Sequence, residues 1–207
     1  MELFEIANYQ IWGKEMVRGY QIPETLQRLF RLDEQLVKKY GKKFDDFFGA
    51  RLTFEEEGYD CTPDDAIVFL WTGADGDHFV FLTDGDTVDS LEEAPIFFIQ
   101  PMSFSDPYKP VAKNIKEFLA LYVQLRELYL FEWLPSYKTE EAFLQHYKDE
   151  FEKDILENKQ DQDVFIAAIE QEIQLPKIER VFVYIQELNG LFQKRLKNLK
   201  KSYDMNG

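Results

Sequence analysis

Two histidines, one cysteine and a crowd of aspartates are the residues of this chain with chemistry to offer. His78 closes the string Asp75-Gly76-Asp77-His78, and a second acidic turn, Asp84-Gly85-Asp86, follows a few residues later. Carboxylates beside a histidine can hold a hard cation or orient a general base. Neither Asp75 nor Asp84 opens the alternating acid series of a calcium loop, however, and Asp-Gly is the ordinary vocabulary of tight turns. The acids are therefore expected to shape turns, with no metal site, no catalytic residues and no cofactor. His78 begins an apolar run and is expected to be a hydrogen-bonded structural histidine. Cys61, between Asp60 and Thr62-Pro63, has no neighbouring cation to stabilise a thiolate and is expected to be inert. Serine-hydrolase elbows, zinc-protease helices, Cys-x-x-Cys pairs and phosphate loops are missing from the sequence.

The charge is uneven. Of the formal net charge of -15, residues 45 to 106 carry sixteen acids against the single base Arg51. The flanking segments nearly cancel. Such a field repels phosphate, so nucleic acid and anionic membrane surfaces are expected to be excluded as direct partners. It suits a basic protein, with a merely solvated, solubilising surface as the plain alternative. The acids that such a partner would meet are Glu55, Glu56, Glu57, Asp75, Asp77, Asp84 and Asp86.

The elements that position these residues follow from periodicity. Pro23 to Tyr40 carries Leu26, Leu29, Phe30, Leu36, Val37 and Tyr40 at helical spacing and stops at Gly41, with Lys38 and Lys39 suited to its last turn. Strands are expected at Ala66 to Trp71, His78 to Leu82 and Pro95 to Ile99, with a weaker one from Leu52 to Glu56. The short turn Ala74 to Asp77 makes the first two an antiparallel hairpin. Their unbroken apolarity implies a sheet covered on more than one side. Helices are then expected at Val111 to Arg126, Thr139 to Asn158, Asp161 to Leu175 and Pro176 to Leu199. The basic tail from Lys194 to Lys201 reads as the charged end of the last of these. Met1-Glu2-Leu3-Phe4-Glu5 lacks the basic start of a secretory signal, and no apolar run is long enough to span a bilayer, so a cytoplasmic protein is expected.

The string Trp71-Thr72-Gly73-Ala74-Asp75-Gly76-Asp77-His78-Phe79, then Phe81-Leu82, Ala94-Pro95-Ile96, Pro101-Met102 and Val111 to Leu119, resembles the SUKH superfamily, with Ile22-Pro23 matching an early Leu-Pro. The resemblance spans about residues 20 to 125. It implies an α+β fold, a twisted mostly antiparallel sheet flanked by helices, for residues 1–135; the C-terminal helical extension, 136–207, expected from periodicity to pack on it, lies outside the family pattern. Family members include cell-wall regulators and bacterial immunity proteins, so the resemblance implies protein binding: neutralisation of a toxin domain, nucleases among them. An adaptor or scaffold role is the alternative, and a metal-dependent sensor or enzyme a third. The matching residues Trp71, Gly73, Asp75, Gly76, His78 and Phe79 are assigned to the fold and the rim of its groove.

Overall fold

Strong local signals set the first half of the molecule. The computed structural model describes residues 16–56, 58–103 and 106–206; the N-terminal Met1-to-Glu5 segment and Glu57 lie outside the described residues. A two-residue hairpin, β1 (Met16–Val17) with β2 (Tyr20–Gln21), leads into helix α1 (Glu24–Tyr40). Pro23 precedes it and Gly41 ends it in a left-handed conformation, its N–H on the Val37 carbonyl at 2.9 Å. Leu26, Leu29, Phe30 and Leu36 face the core as their spacing requires, whereas Val37 and Tyr40 are exposed. They lie at the end of the helix, beyond the surface it packs against.

A short helix, α2 (Phe44–Phe48), then buries three phenylalanines within five residues. Five strands follow as an antiparallel meander: β3 (Arg51–Glu55), β4 (Ala66–Trp71), β5 (His78–Leu82), β6 (Ile96–Ile99) and β7 (Tyr108–Ala112). The fold is α+β. Strand β7 corrects the sequence reading, which placed Val111 on a helix. Pro110 is tolerated because β7 is an edge strand, and the segment completes the sheet by pairing Tyr108 with Ile99 and Pro110 with Phe97. The true helix, α3 (Ile115–Leu125), starts after Asn114, whose side chain accepts the Glu117 N–H at 2.9 Å.

The C-terminal part is more broken than its apolar pattern implies. After α4 (Leu130–Trp133) and a 3₁₀ turn at Pro135 come α5 (Glu140–His146), a π turn (Tyr147–Phe151) and α6 (Glu152–Glu157). Helix α7 (Lys159–Glu172) begins and ends slightly ahead of the expected segment. The continuous helix expected from Pro176 to Leu199 does not form. Residues 176–180 are non-helical, α8 is Val181–Leu191, and the chain breaks at Phe192 before α9 (Gln193–Asn206). Ile178 is nevertheless buried, carried into the core by the non-helical stretch.

Alternation along the strands sends side chains to two faces. Leu52, Phe54, Ile67, Phe69, Phe79, Phe81, Ile96 and Phe98 join the main core, and α1, α2 and α3 contribute to it together with Phe143, Phe165, Ile169, Ile185 and Leu188 of the C-terminal helices. Ala66, Val68, Val80, Leu82, Phe97 and Ile99 point the other way, into a small second cluster covered by Cys61, Tyr108 and Leu199 of α9. The sheet is thus clothed on both sides, as its unbroken apolar strands require. No helix among the described residues is long and apolar enough to cross a membrane.

Candidate functional site

The hairpin that carries the sequence motif is built for shape. Asp75 and Gly76 both take positive φ, 49° and 79°, as mirror-image tight turns demand. A side chain at position 76 would also strike the Tyr59 ring, since a Cβ there would lie 2.4 Å from it. Asp75 is exposed at the tip and Gly73 is left-handed. Trp71 packs on the His78 ring at 4.7 Å, and Phe79 is buried on the opposite face between Phe98 and Phe118.

His78 is completely buried. Its Nδ1–H donates to the Gly76 carbonyl at 2.7 Å, which leaves Nε2 to accept from the Thr62 hydroxyl at 2.9 Å. Thr62 Oγ1 in turn accepts the Tyr59 N–H at 2.8 Å. The imidazole therefore pins the loop 59–62 onto the sheet. Burial, only partly opposed by the Gly76 bond, lowers its pKa to about 4. At neutral pH the ring is an uncharged strut with both nitrogens occupied.

The acids proposed from sequence do not form one group. Asp77 is 6% exposed and its carboxylate accepts from Gln100 Nε2 at 3.2 Å, so it is unavailable to a partner. The expectation that it serves its own turn is also corrected: the turn is closed by backbone bonds, Asp77 N–H to Ala74 and Thr72 N–H to Asp77, and by the Thr72 hydroxyl on the Asp77 carbonyl. Burial raises the Asp77 pKa, against the Gln100 bond, and Glu132 and Asp75 add to the rise. Asp75 and Asp77 stand at one end of β5, while Asp84 and Asp86 follow its other end, about 17 Å away for a five-residue strand. Glu55 and Glu56 lie toward that second end, because antiparallel β3 pairs Arg51 with Trp71 and Glu55 with Val68.

At this second end the sequence reading missed the residues that matter most. The loop before β4 brings Asp60, Asp64 and Asp65 against Asp84 and Gly85, and with Tyr108, Arg195, Leu199 and Tyr203 they line a cleft of about 380 Å³. Asp65 Oδ2 accepts the Gly85 N–H at 2.8 Å and bonds Arg195 of α9. Asp86 accepts from the Thr83 hydroxyl at 2.9 Å, Glu56 stands 3.9 Å from Arg18, and Glu55 accepts from the Thr53 hydroxyl. The carboxylates of Asp60, Asp64 and Asp84 have no ion pair among the described residues. Only the charge count pointed to these loop acids; their convergence comes from strand register.

The cations opposite them need a different explanation from the one the sequence offered. Lys194 and Arg195 sit in the first turn of α9, where the helix dipole disfavours positive charge, because the break at Phe192 starts a new helix just before them. Their complement is the acidic segment. Arg195 meets Asp65, and Lys200 reaches Asp106 at 2.5 Å beside Lys109. Burial pushes the Asp106 carboxyl up, but the hydrogen bonds and charges of Lys109 and Lys200 outweigh it and hold the pKa below the usual value.

Cys61 lies beneath α9, 5% exposed, and burial raises its thiol pKa, so the site lacks an activated nucleophile at this position. Among the described residues no three His, Cys, Asp or Glu side chains converge as a metal would require. What the arrangement offers is a field: an acidic rim, with the carboxylates of Asp60, Asp64 and Asp84 unpaired among the described residues, around a cleft lined also by Tyr108, Leu199 and Arg195. Comparison of the chain with protein-family models, curated proteins and solved structures returns no match.

Proposed function

We propose that this chain is a non-catalytic, protein-binding member of the SUKH superfamily, an immunity-type protein that neutralises a basic toxin domain, such as a nuclease, in the cytoplasm. The observation that carries this reading is the convergence of Asp60, Asp64 and Asp84 on one cleft with no ion pair on any of the three among the described residues. Arg195, engaged by Asp65, is the one cation lining the cleft among the described residues, so the negative charge there is in excess, and a basic partner would supply the compensation. An acidic rim also speeds the encounter with a cationic protein and turns away the phosphate backbone that competes for the same surface.

Charge reversal tests this. Asp60→Lys with Asp64→Lys changes exposed side chains at ordinary backbone angles and is expected to shift folding stability by less than about 0.5 kcal/mol. With the partner co-purified from the native host, the same change should slow association about tenfold at low salt and leave the dissociation rate nearly unchanged. An association rate indifferent to both salt and reversal removes the reading. The alternative is a regulatory adaptor, favoured by the exposure of Trp133, Leu144 and Leu156 on the C-terminal segments. A partner that tolerates the reversal but fails on Leu144→Asp and Leu156→Asp belongs to that alternative.

A further inference from the structure

Helix α9 makes the second face of the sheet look like one half of a complex. Its inward stripe is Leu196, Leu199 and Tyr203, spaced as one apolar helical face and packed on the second cluster; Phe192, at the break before it, packs on both clusters. Phe192 meets Phe97 at 5.3 Å and Tyr203 meets Tyr108 at 6.4 Å. Basic residues flank the stripe and answer acids of the sheet's two margins, Arg195 on Asp65 and Lys200 on Asp106. The remainder of the helix, rich in lysine, is largely exposed.

The attachment is slight beside that of the other helices. Within α9 Leu199 alone has a buried side chain among the described residues. Both ion pairs are partly open to solvent, where such pairs contribute little. The break at Phe192 separates α9 from α8, which is anchored in the main core by Ile185 and Leu188. With Phe192 held by both clusters as the hinge, α9 can lift without disturbing that core, and lifting it uncovers Cys61 and Tyr108 together with Asp65 and Asp106.

We infer that the second face of the sheet is a docking groove for a basic amphipathic helix, that α9 is its resident occupant, and that a partner's helix of the same chemistry takes its place. This rests on the acidic-face reading above and names its partner element: apolar residues at i, i+3 and i+7, with cations on both flanks. Charge complementarity fixes the class, since an acidic or purely apolar helix would leave Asp65 without its Arg195 partner and Asp106 with Lys109 alone.

Cys61, the one cysteine of the chain, reports on the groove because α9 covers it. In the full-length protein its labelling by a thiol reagent is expected to proceed by local opening, faster than global unfolding allows and nearly independent of low urea. High salt, or Lys200→Glu, should speed it about fivefold by weakening the flanking pairs. Arg180→Glu, which breaks an exposed pair with Glu140 away from α9, should leave it unchanged. A dye-labelled synthetic peptide of residues 193–206 should then bind full-length Leu199→Asp at least about tenfold more tightly than wild type, because the tethered competitor is disabled, and salt should weaken it. Labelling of wild type that follows global unfolding across urea overturns the inference, as does peptide binding that is absent, or equal in the two proteins. The labelling arm needs no destabilised variant. Failure here leaves the acidic rim intact as a reading, because Asp60, Asp64 and Asp84 have no ion pair with α9 among the described residues.

Discussion

The two faces of the sheet are made from the same strands, and they are unlike. The helix-covered face joins a cluster of 42 buried residues, whereas the other gathers nine, among the described residues. Phenylalanines dominate the first: Phe118 touches Phe48, Phe69, Phe79 and Phe131, and Phe165 packs against Phe44, Phe47 and Phe48. Small and medium side chains, Ala66, Val68, Val80 and Leu82, floor much of the second. Interlocking aromatic rings tolerate little movement, because each ring fixes the next. The second face is smoother, is closed by one polar helix and carries its charge at the margins. The lesson is a division of labour within one sheet, with cohesion on one side and exchangeable contacts on the other.

The largest expected effect lies in the main core. Phe118→Ala should destabilise the protein by about 4 kcal/mol in urea unfolding, as truncation of a fully packed ring does. A loss under about 2 kcal/mol would mean the aromatic face is looser than its contacts imply.

The next effect depends on pH and belongs to the second face. His78 has a folded pKa of about 4 against 6.5 in a free chain. Its depressed value means that the unfolded state takes up the proton first. The contribution is present above pH 6.5 and is lost as pH falls toward about 4, amounting to about 3 kcal/mol in full. Asp77 and Glu127, both raised by burial, act in the opposite sense, since the folded state binds their protons more tightly. The stability difference between wild type and His78→Gln, followed by urea titration at a series of pH values, isolates the histidine. A difference that stays constant with pH would show that the ring is not held neutral.

Leu199→Ala is the smaller perturbation, about 2 kcal/mol, the low end of the ordinary cost of truncating a buried leucine, because the helix around it is largely exposed. Its interest lies in distribution. Hydrogen exchange should quicken in α9 and leave α3 and α8 unchanged; uniform quickening would mean that the two faces unfold as one unit.

Much of the fold was readable from local chemistry. The bounds of α1 came from Pro23, Gly41 and the spacing of leucines, and the hairpin from Asp75-Gly76 between two apolar runs. His78 was readable as structural because an imidazole at the start of a buried strand needs hydrogen bonds before it needs a function. Strand β7 was not. Tyr108 to Ala112 is five residues with a proline, a composition that only an open sheet edge makes a strand. Nor was α2, whose three phenylalanines are helical because Phe165 and Tyr122 arrive from far along the chain to receive them.

The same boundary runs through the candidate site. Composition by itself determined that residues 45 to 106 are acidic, and that any surface they form attracts cations, because charge adds up regardless of conformation. It could not separate Asp77 from Asp84. Strand direction and register decided that, turning Asp77 into the buried partner of Gln100 and setting Asp84 at the open end beside Asp60 and Asp64. The basic tail shows it most clearly. Its lysines were legible as charge, but their assignment to a helix end failed once the chain broke at Phe192. Only the packing of α9 across the sheet brought Arg195 to Asp65, 130 residues away in sequence, since the energy of an ion pair depends on distance in space.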